Sequence, residues 1–176
     1  MHITLDELLL SRDNRKKLQE ELLRQFNDKT LICLTVVMPG NIKRNSHSLT
    51  IAKAAVKELE NSFFNHIIYS QHRDLYTGYE YYLVTDIDKM ESKKICCQIE
   101  TEHPLGRLFD IDVINSNGIP IQREEVGYGK RKCLICDNEA RYCMRNFTHS
   151  QEEIASEIDR IIDAYNHLQN KNTCIR

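Results

Sequence analysis

From Phe109 to Val113, apolar and acidic residues alternate one for one: Phe109, Ile111 and Val113 against Asp110 and Asp112. Residues two apart on a β-strand share a face. The pattern predicts a strand over Leu108–Ile114 whose apolar side chains pack into a core while both carboxylates project together from the other side. Two neighbouring carboxylates repel, and a hard cation such as Mg²⁺ relieves that repulsion while holding phosphate oxygens. The same arrangement supports two-metal phosphoryl transfer. The spacing alone also fits an edge strand with a solvated acidic face. The residues just before it favour chemistry. In His103-Pro104-Leu105-Gly106-Arg107, Gly106 permits close approach of backbone to a ligand. Arg107 offers two parallel hydrogen bonds to a phosphate. His103 titrates near neutrality and is a candidate general base; a histidine answering a helix C-terminal dipole is the alternative.

A chain of 176 residues fits one domain with a real core. Its net charge of -2 gives no global field toward nucleic acid or an anionic membrane. No segment approaches the roughly 18 apolar residues that a membrane helix needs. Met1-His2-Ile3-Thr4 is not the start of a signal peptide, so a cytoplasmic location is expected. Seven cysteines, an odd number, argue for buried thiols or metal ligands rather than disulfides.

An α+β single domain over 1–176 is expected, with a helical N-terminus (1–28), an α/β core (31–121), a basic Cys-rich loop (122–149) and a C-terminal helix (150–170). Thr4 with Glu7 reads as a capping box. The helix that follows has a polar middle, Ser11 to Lys17, which suggests two short helices. Leu31–Met38 is a buried strand ended by Pro39-Gly40. His47–Ser62 is helical. His66–Ser70 and Tyr79–Thr85 are strands around a loop containing Gly78. Asp88–Thr101 is a second helix, and Asn117-Gly118 a hairpin-type turn. Strand, helix, strand, strand, helix, strand is the ferredoxin-like order, a sheet covered on one face by two helices. Ser150 with Glu153 opens the last helix, whose apolar face is Ile154, Ile158, Ile161, Tyr165 and Leu168; the tail after Gln169 reads as frayed.

Three further segments carry polar groups. Pro39-Gly40 delivers Lys43 and Arg44 at a strand end, a phosphate loop without the glycines of a P-loop, or a plain turn. Thr77-Gly78 is a second candidate cleft turn. Cys133, Cys136, Cys143 and His149 spell C-x2-C-x6-C-x5-H, a set able to complete a tetrahedral zinc shell; inert thiols are the competing reading. Lys130, Arg131 and Lys132 precede them after Gly127-Tyr128-Gly129, a basic loop suited to closing over polyphosphate or docking an acidic protein.

Taken together, Glu102 to Val113, Arg131 to Cys136, Ala140-Arg141, Cys143, Arg145 and His149 closely resemble the CitX family, the apo-citrate lyase phosphoribosyl-dephospho-CoA transferases. Leu10 to Arg15 with Gln19, the Met38-Pro39-Gly40 turn with Lys43, and Thr77-Gly78 with Glu80 also resemble family features. Phe109 stands where tryptophan is more usual, and Tyr79 where proline is. The resemblance implies transfer of phosphoribosyl-dephospho-CoA from 2′-(5″-triphosphoribosyl)-3′-dephospho-CoA to a serine of the apo acyl-carrier (γ) subunit of citrate lyase, releasing diphosphate. Asp110 and Asp112 would bind Mg²⁺, and Arg107, Lys43 and Arg44 phosphate oxygens. The base would be His103 or an aspartate, and the Lys130-Arg131-Lys132 loop would meet the carrier. Two alternatives remain: the same chemistry on another carrier, such as that of malonate decarboxylase, and a non-catalytic zinc module binding an acidic partner.

Overall fold

The structure, a computed structural model, describes residues 2–173. Thr4 and Glu7 cap the first helix reciprocally: the Glu7 amide donates to the Thr4 hydroxyl at 3.3 Å, and the Thr4 amide to the Glu7 carboxylate at 2.8 Å. The helix, α1, then runs unbroken over Leu5–Gln25. The expected split at Ser11–Lys17 does not occur. Arg, Lys and Gln are good helix formers, and two side chains of the polar stretch have tertiary partners. Ser11 hydrogen-bonds Thr77 at 2.8 Å, and Arg15 pairs with Glu80 at 2.9 Å.

Next come β1 (Thr30–Val36), α2 (Ser46–Ser62), β2 (Ile67–Leu75), β3 (Gly78–Thr85), α3 (Lys89–Glu102) and β4 (Phe109–Ile114). They form one four-stranded sheet in the order β2-β3-β1-β4, every neighbouring pair antiparallel. β2 is longer than its apolar residues suggest, because Gln71, His72, Arg73 and Asp74 keep pairing with β3. The joining turn is tight, with Leu75 opposite Gly78 and Gly78 at φ +131°. Beyond β4 the chain turns at Asn117-Gly118 and returns to a bridge between Ile114 and Pro120. The short α4 (Ala140–Asn146) and the long α5 (Gln151–Thr173) finish the fold. α5 continues past Gln169, where fraying was expected.

Alternation along the strands makes two different faces. Ile32, Leu34, Tyr81, Leu83, Phe109, Ile111 and Val113 point into the larger core, against Ile51, Ala55 and Leu59 of α2, Ile99 of α3, and Ile158 and Ile162 of α5. Burying each such side chain contributes roughly 1.5–3 kcal/mol. The other face is covered too: Leu22 of α1 packs on Leu31, Cys33, Tyr82, Val84 and Ile114. A sheet covered on one side by two helices is therefore corrected to one with α1 across its second face. The cause is legible in β1, where Leu31 and Cys33 are apolar on that side. The apolar cover on that face involves Leu31, Cys33 and Ile114. Further along the same strands lie the polar Thr35, Asp110 and Asp112. No described helix is long and apolar enough to cross a membrane.

Candidate active site and metal site

β1 and β4 pair so that Cys33 faces Asp112 and Thr35 faces Asp110. Both carboxylates therefore rise from the face that α1 covers, as the alternation predicts. The Thr35 hydroxyl donates to Asp110 at 3.1 Å. Asp110 is exposed, while Asp112 is largely covered. Burial, reinforced by the neighbouring Asp110, pushes the Asp112 carboxyl up to about 6. A carboxylate held at such a disadvantage beside another is stabilised by a bound cation. Two hard oxygen donors on one face suit a divalent ion of the Mg²⁺ type.

Beside Asp112 lies a cavity of about 250 Å³ between α1 and the sheet. Arg12, Arg15, Lys16 and Gln19 line it from α1, Cys33 and Thr35 from β1, Asp112 and Ile114 from β4, and Gly118 and Pro120 from the turn beyond. The four α1 residues are spaced i, i+3, i+4 and i+7, which is one stripe of a helix. Arg15 is already committed, since Glu80, almost wholly buried, receives it together with Arg73 at 3.3 Å and the Tyr82 hydroxyl at 2.6 Å. Arg12 and Lys16 make no ion pair among the described residues. Lys43 donates to the Met38 carbonyl, and its ammonium is held below its usual value by burial and then by Arg12. Cations gathered without counter-charges of their own can draw an anion. The Cys33 thiol, pushed up to about 12 by burial, stays protonated and is no nucleophile.

Several candidates from the sequence stand elsewhere. The Gly40 turn holds φ +68°, and Pro39 is half-buried in it. Arg44 makes a bidentate pair with Asp74 at 2.6 and 2.8 Å on the surface. Thr77 bonds Ser11, and Gly78 packs near Lys43, so this turn braces α1 beside the cavity. His103 stacks on Phe109 and Tyr165, with ring centroids 4.9 and 5.6 Å away, and its Nδ1 accepts the Leu105 amide at 3.0 Å. Phe109 and Asp110 point to opposite faces, so His103 lies across the sheet from the acid pair. Gly106 is packed against α3: a Cβ there would meet the Glu100 carbonyl oxygen at 2.5 Å. Its small size serves helix-to-turn packing rather than ligand approach. Arg107 donates to the carbonyls of Lys132 (3.2 Å) and Cys133 and lies near Glu157 of α5, away from the cavity.

The basic loop is less free than its sequence implies. Lys130 pairs with Glu139 at 2.9 Å and Lys132 with Asp137 at 3.3 Å. Arg131 is half-buried, donating to the Phe109 carbonyl at 2.9 Å and pairing with Glu100 at 2.5 Å. Glu100 in turn accepts the Ile111 amide at 3.0 Å, and Lys93 donates to the Ile111 carbonyl at 3.2 Å. Residues from α3 and this loop thus hold the strand that carries the acid pair.

Cys133, Cys136, Cys143 and His149 converge, their ligand atoms all within 4.8 Å of one another. Cys136 and Cys143 sulfurs are 3.5 Å apart, and His149 Nε2 is 3.3 Å from Cys136 Sγ. Burial would raise the Cys133 thiol, but amide hydrogen bonds from Ile135 and Cys136 and contacts with the other two thiols bring it below its ordinary value. Three sulfurs and one imidazole at such separations can hold a metal ion.

The sequence alone did not single out Arg12, Lys16 and Thr35, which line the cavity. The helical spacing of the cations on α1 was the signal available for the first two.

Comparison with known proteins bears on the family of the chain. The model of the CitX family, apo-citrate lyase phosphoribosyl-dephospho-CoA transferase, matches residues 3–165. A probable apo-citrate lyase phosphoribosyl-dephospho-CoA transferase of Streptococcus pyogenes is 33% identical over 175 residues, covering 97% of this chain and 91% of that protein. A protein of the same description from Vibrio cholerae is 34% identical over 169 residues, 94% of each. Protein CitXG of Haemophilus influenzae is 33% identical over 172 residues, 94% of this chain but 36% of the longer relative. With the match spanning nearly its whole length, the chain belongs to the CitX family of apo-citrate lyase phosphoribosyl-dephospho-CoA transferases.

Proposed function

We propose that the chain transfers the phosphoribosyl-dephospho-CoA group of 2′-(5″-triphosphoribosyl)-3′-dephospho-CoA to a serine hydroxyl of the apo acyl-carrier subunit of citrate lyase, in the cytoplasm. The serine oxygen forms a bond to the α-phosphorus, the bond from that phosphorus to the leaving diphosphate breaks, and the serine proton passes to a base. The observation that carries this reading is the Asp110–Asp112 pair, projecting from one strand face beside a cavity lined by Arg12 and Lys16 with Lys43 close by. Such a transfer needs little covalent chemistry from the protein, mostly positioning and neutralisation of phosphate charge. Arg12, Lys16 and Lys43 bind the non-transferred phosphates. Asp110 and Asp112 would hold Mg²⁺, which supplies charge neutralisation at the phosphates when bound.

The family match and the relatives' names favour the citrate lyase carrier over that of malonate decarboxylase. They also favour an enzyme over a zinc module alone. Zinc is the ion that the Cys₃His set suits best, in a structural role, because all four protein ligands close the shell. Elemental analysis of purified protein is expected to find one zinc per chain, lost when Cys136 is replaced by serine.

Mass spectrometry of apo carrier protein after incubation with the enzyme, the triphosphoribosyl donor and Mg²⁺ tests the reaction. The carrier is expected to gain the mass of one prosthetic group, and the Asp110→Asn variant to leave it unmodified while remaining folded. An unmodified carrier with wild-type enzyme, or full activity in Asp110→Asn, would overturn the reading.

A further inference from the structure

The segment closed by Cys133 and His149 carries a group of side chains that the transfer site does not use. Phe147 is 89% exposed, Met144 69%, Tyr142 56% and Ile135 37%. Each lies within two residues of a member of the Cys₃His set, whose ligand atoms all gather within 4.8 Å. The four therefore radiate from one tight centre instead of being scattered over the surface. Phe147 also holds φ +48°, the one described residue other than glycine with positive φ. An L-residue there costs roughly 1–2 kcal/mol, and this ring recovers none of it by burial. The left-handed turn itself ends α4, with the Thr148 amide on the Cys143 carbonyl at 3.1 Å, but that cap needs no aromatic side chain, which leaves the exposed ring free for contact. Arg141 and Arg145, one turn apart on α4, are exposed and make no ion pair among the described residues, whereas Lys130 and Lys132 both have acidic partners.

We propose that Tyr142, Met144 and Phe147, flanked by Arg141 and Arg145, form the docking face for the protein acceptor, and that this face receives an acidic surface of the carrier with an apolar recess for Phe147. The inference rests on the transfer reading above, which makes a protein one of the two substrates. An exposed aromatic anchor beside arginines is the composition of an interface centre, and the two unpaired guanidinium groups fix the sign of charge opposite them. The position is apt as well. Arg131, two residues before Cys133, binds the carbonyl of Phe109, next to Asp110. A carrier seated on α4 is thereby anchored on a segment fastened to the strand that carries the acid pair.

The test is steady-state transfer with purified apo carrier varied at saturating donor, for wild type, Phe147→Asn and the double variant Arg141→Glu with Arg145→Glu. Asparagine tolerates positive φ, so the first variant keeps the turn while removing the anchor. The expected result is a carrier KM at least tenfold higher in both, with kcat and the donor KM within twofold of wild type. A merely structural role would lower kcat or the melting temperature instead. Carrier KM within twofold of wild type in both variants overturns the proposal. So does a wild-type dimer that Phe147→Asn dissociates with no change in carrier KM, which would assign the face to a second copy. A tenfold rise produced by Leu10→Glu on α1, and by neither α4 variant, would place docking on α1 instead and overturn the proposal. Wild-type enzyme that modifies no carrier sinks the reaction itself and the occupant named here; wild-type transfer with insensitive variants sinks the docking face alone.

Discussion

The Thr35 hydroxyl donates to the Asp110 carboxylate at 3.1 Å across the β1–β4 register, which holds the exposed member of the acid pair in place. Thr35→Val keeps the shape and β-propensity of the side chain and deletes that donor. A hydrogen bond to a charged group is worth about 1.5–3 kcal/mol, so kcat/KM for transfer is expected to fall about tenfold to a hundredfold. The Mg²⁺ concentration for half-maximal activity should rise, and the melting temperature should fall by no more than several degrees. A variant with wild-type Mg²⁺ dependence would dissociate Thr35 from the site.

His103 offers a pH prediction. Burial depresses its pKa below the ordinary 6.5, against a smaller opposing effect of Glu58. Between the folded value and 6.5 the unfolded chain binds more protons than the folded one, so stability rises with pH there. The contribution is present above about pH 6.5 and is lost as pH falls through the depressed value. His103→Phe keeps the ring stacked on Phe109 and Tyr165 but cannot titrate. Denaturant unfolding from pH 5 to 8 should show a shallower acid loss in the variant than in wild type. Because the ring lies across the sheet from Asp110, the variant should also keep transfer activity within a few-fold. A loss of activity beyond a hundredfold would restore His103 as the base.

Glu100 is 7% exposed and pairs with Arg131 at 2.5 Å and Arg123 at 3.7 Å while accepting the Ile111 amide. Glu100→Ala leaves two guanidinium groups and a strand amide without their acceptor. Breaking a buried pair of this kind costs about 3–5 kcal/mol. At a few degrees per kcal/mol for a chain of this size, the melting temperature should drop by about 10 °C.

Gly106→Ala should destabilise without touching the chemistry directly. The added methyl meets two backbone carbonyl oxygens, at 2.5 and 2.7 Å, and backbone does not swing aside. A cost of about 1–3 kcal/mol is expected by denaturant unfolding. Once the variant is folded and saturated with donor, kcat should stay near wild type.

The acid pair was legible because alternation on a strand is a local rule, and β4 obeys it residue by residue. The Cys₃His set was legible from spacing for a similar reason. The cations of α1 were harder to see. Arg12 and Lys16 sit in a helix whose apolar pattern lapses, and nothing within 20 residues of them says that the lapse faces Asp112 on a strand about 100 residues later. His103 and Arg107 misled for the opposite reason. They adjoin the acid pair in sequence, but a helix end, a tight turn and the strand's alternation point them elsewhere. The basic loop looked free because its cations outnumber Asp137 and Glu139 within it, and because Glu100, the partner of Arg131, lies on α3 well before it in the chain.

The strand bearing the acid pair is the outermost of its sheet on that side. Its outward backbone groups have partners nonetheless: the Phe109 carbonyl takes Arg131, the Ile111 amide and carbonyl take Glu100 and Lys93, and the Val113 carbonyl takes the Ile121 amide. No peptide can add itself there without displacing buried charges. The border that in most sheets invites edge-to-edge aggregation is sealed by ionic side chains. Any growth of this sheet by strand addition is left to β2, where the irregular register between Ile67 and Tyr69 interrupts a straight template.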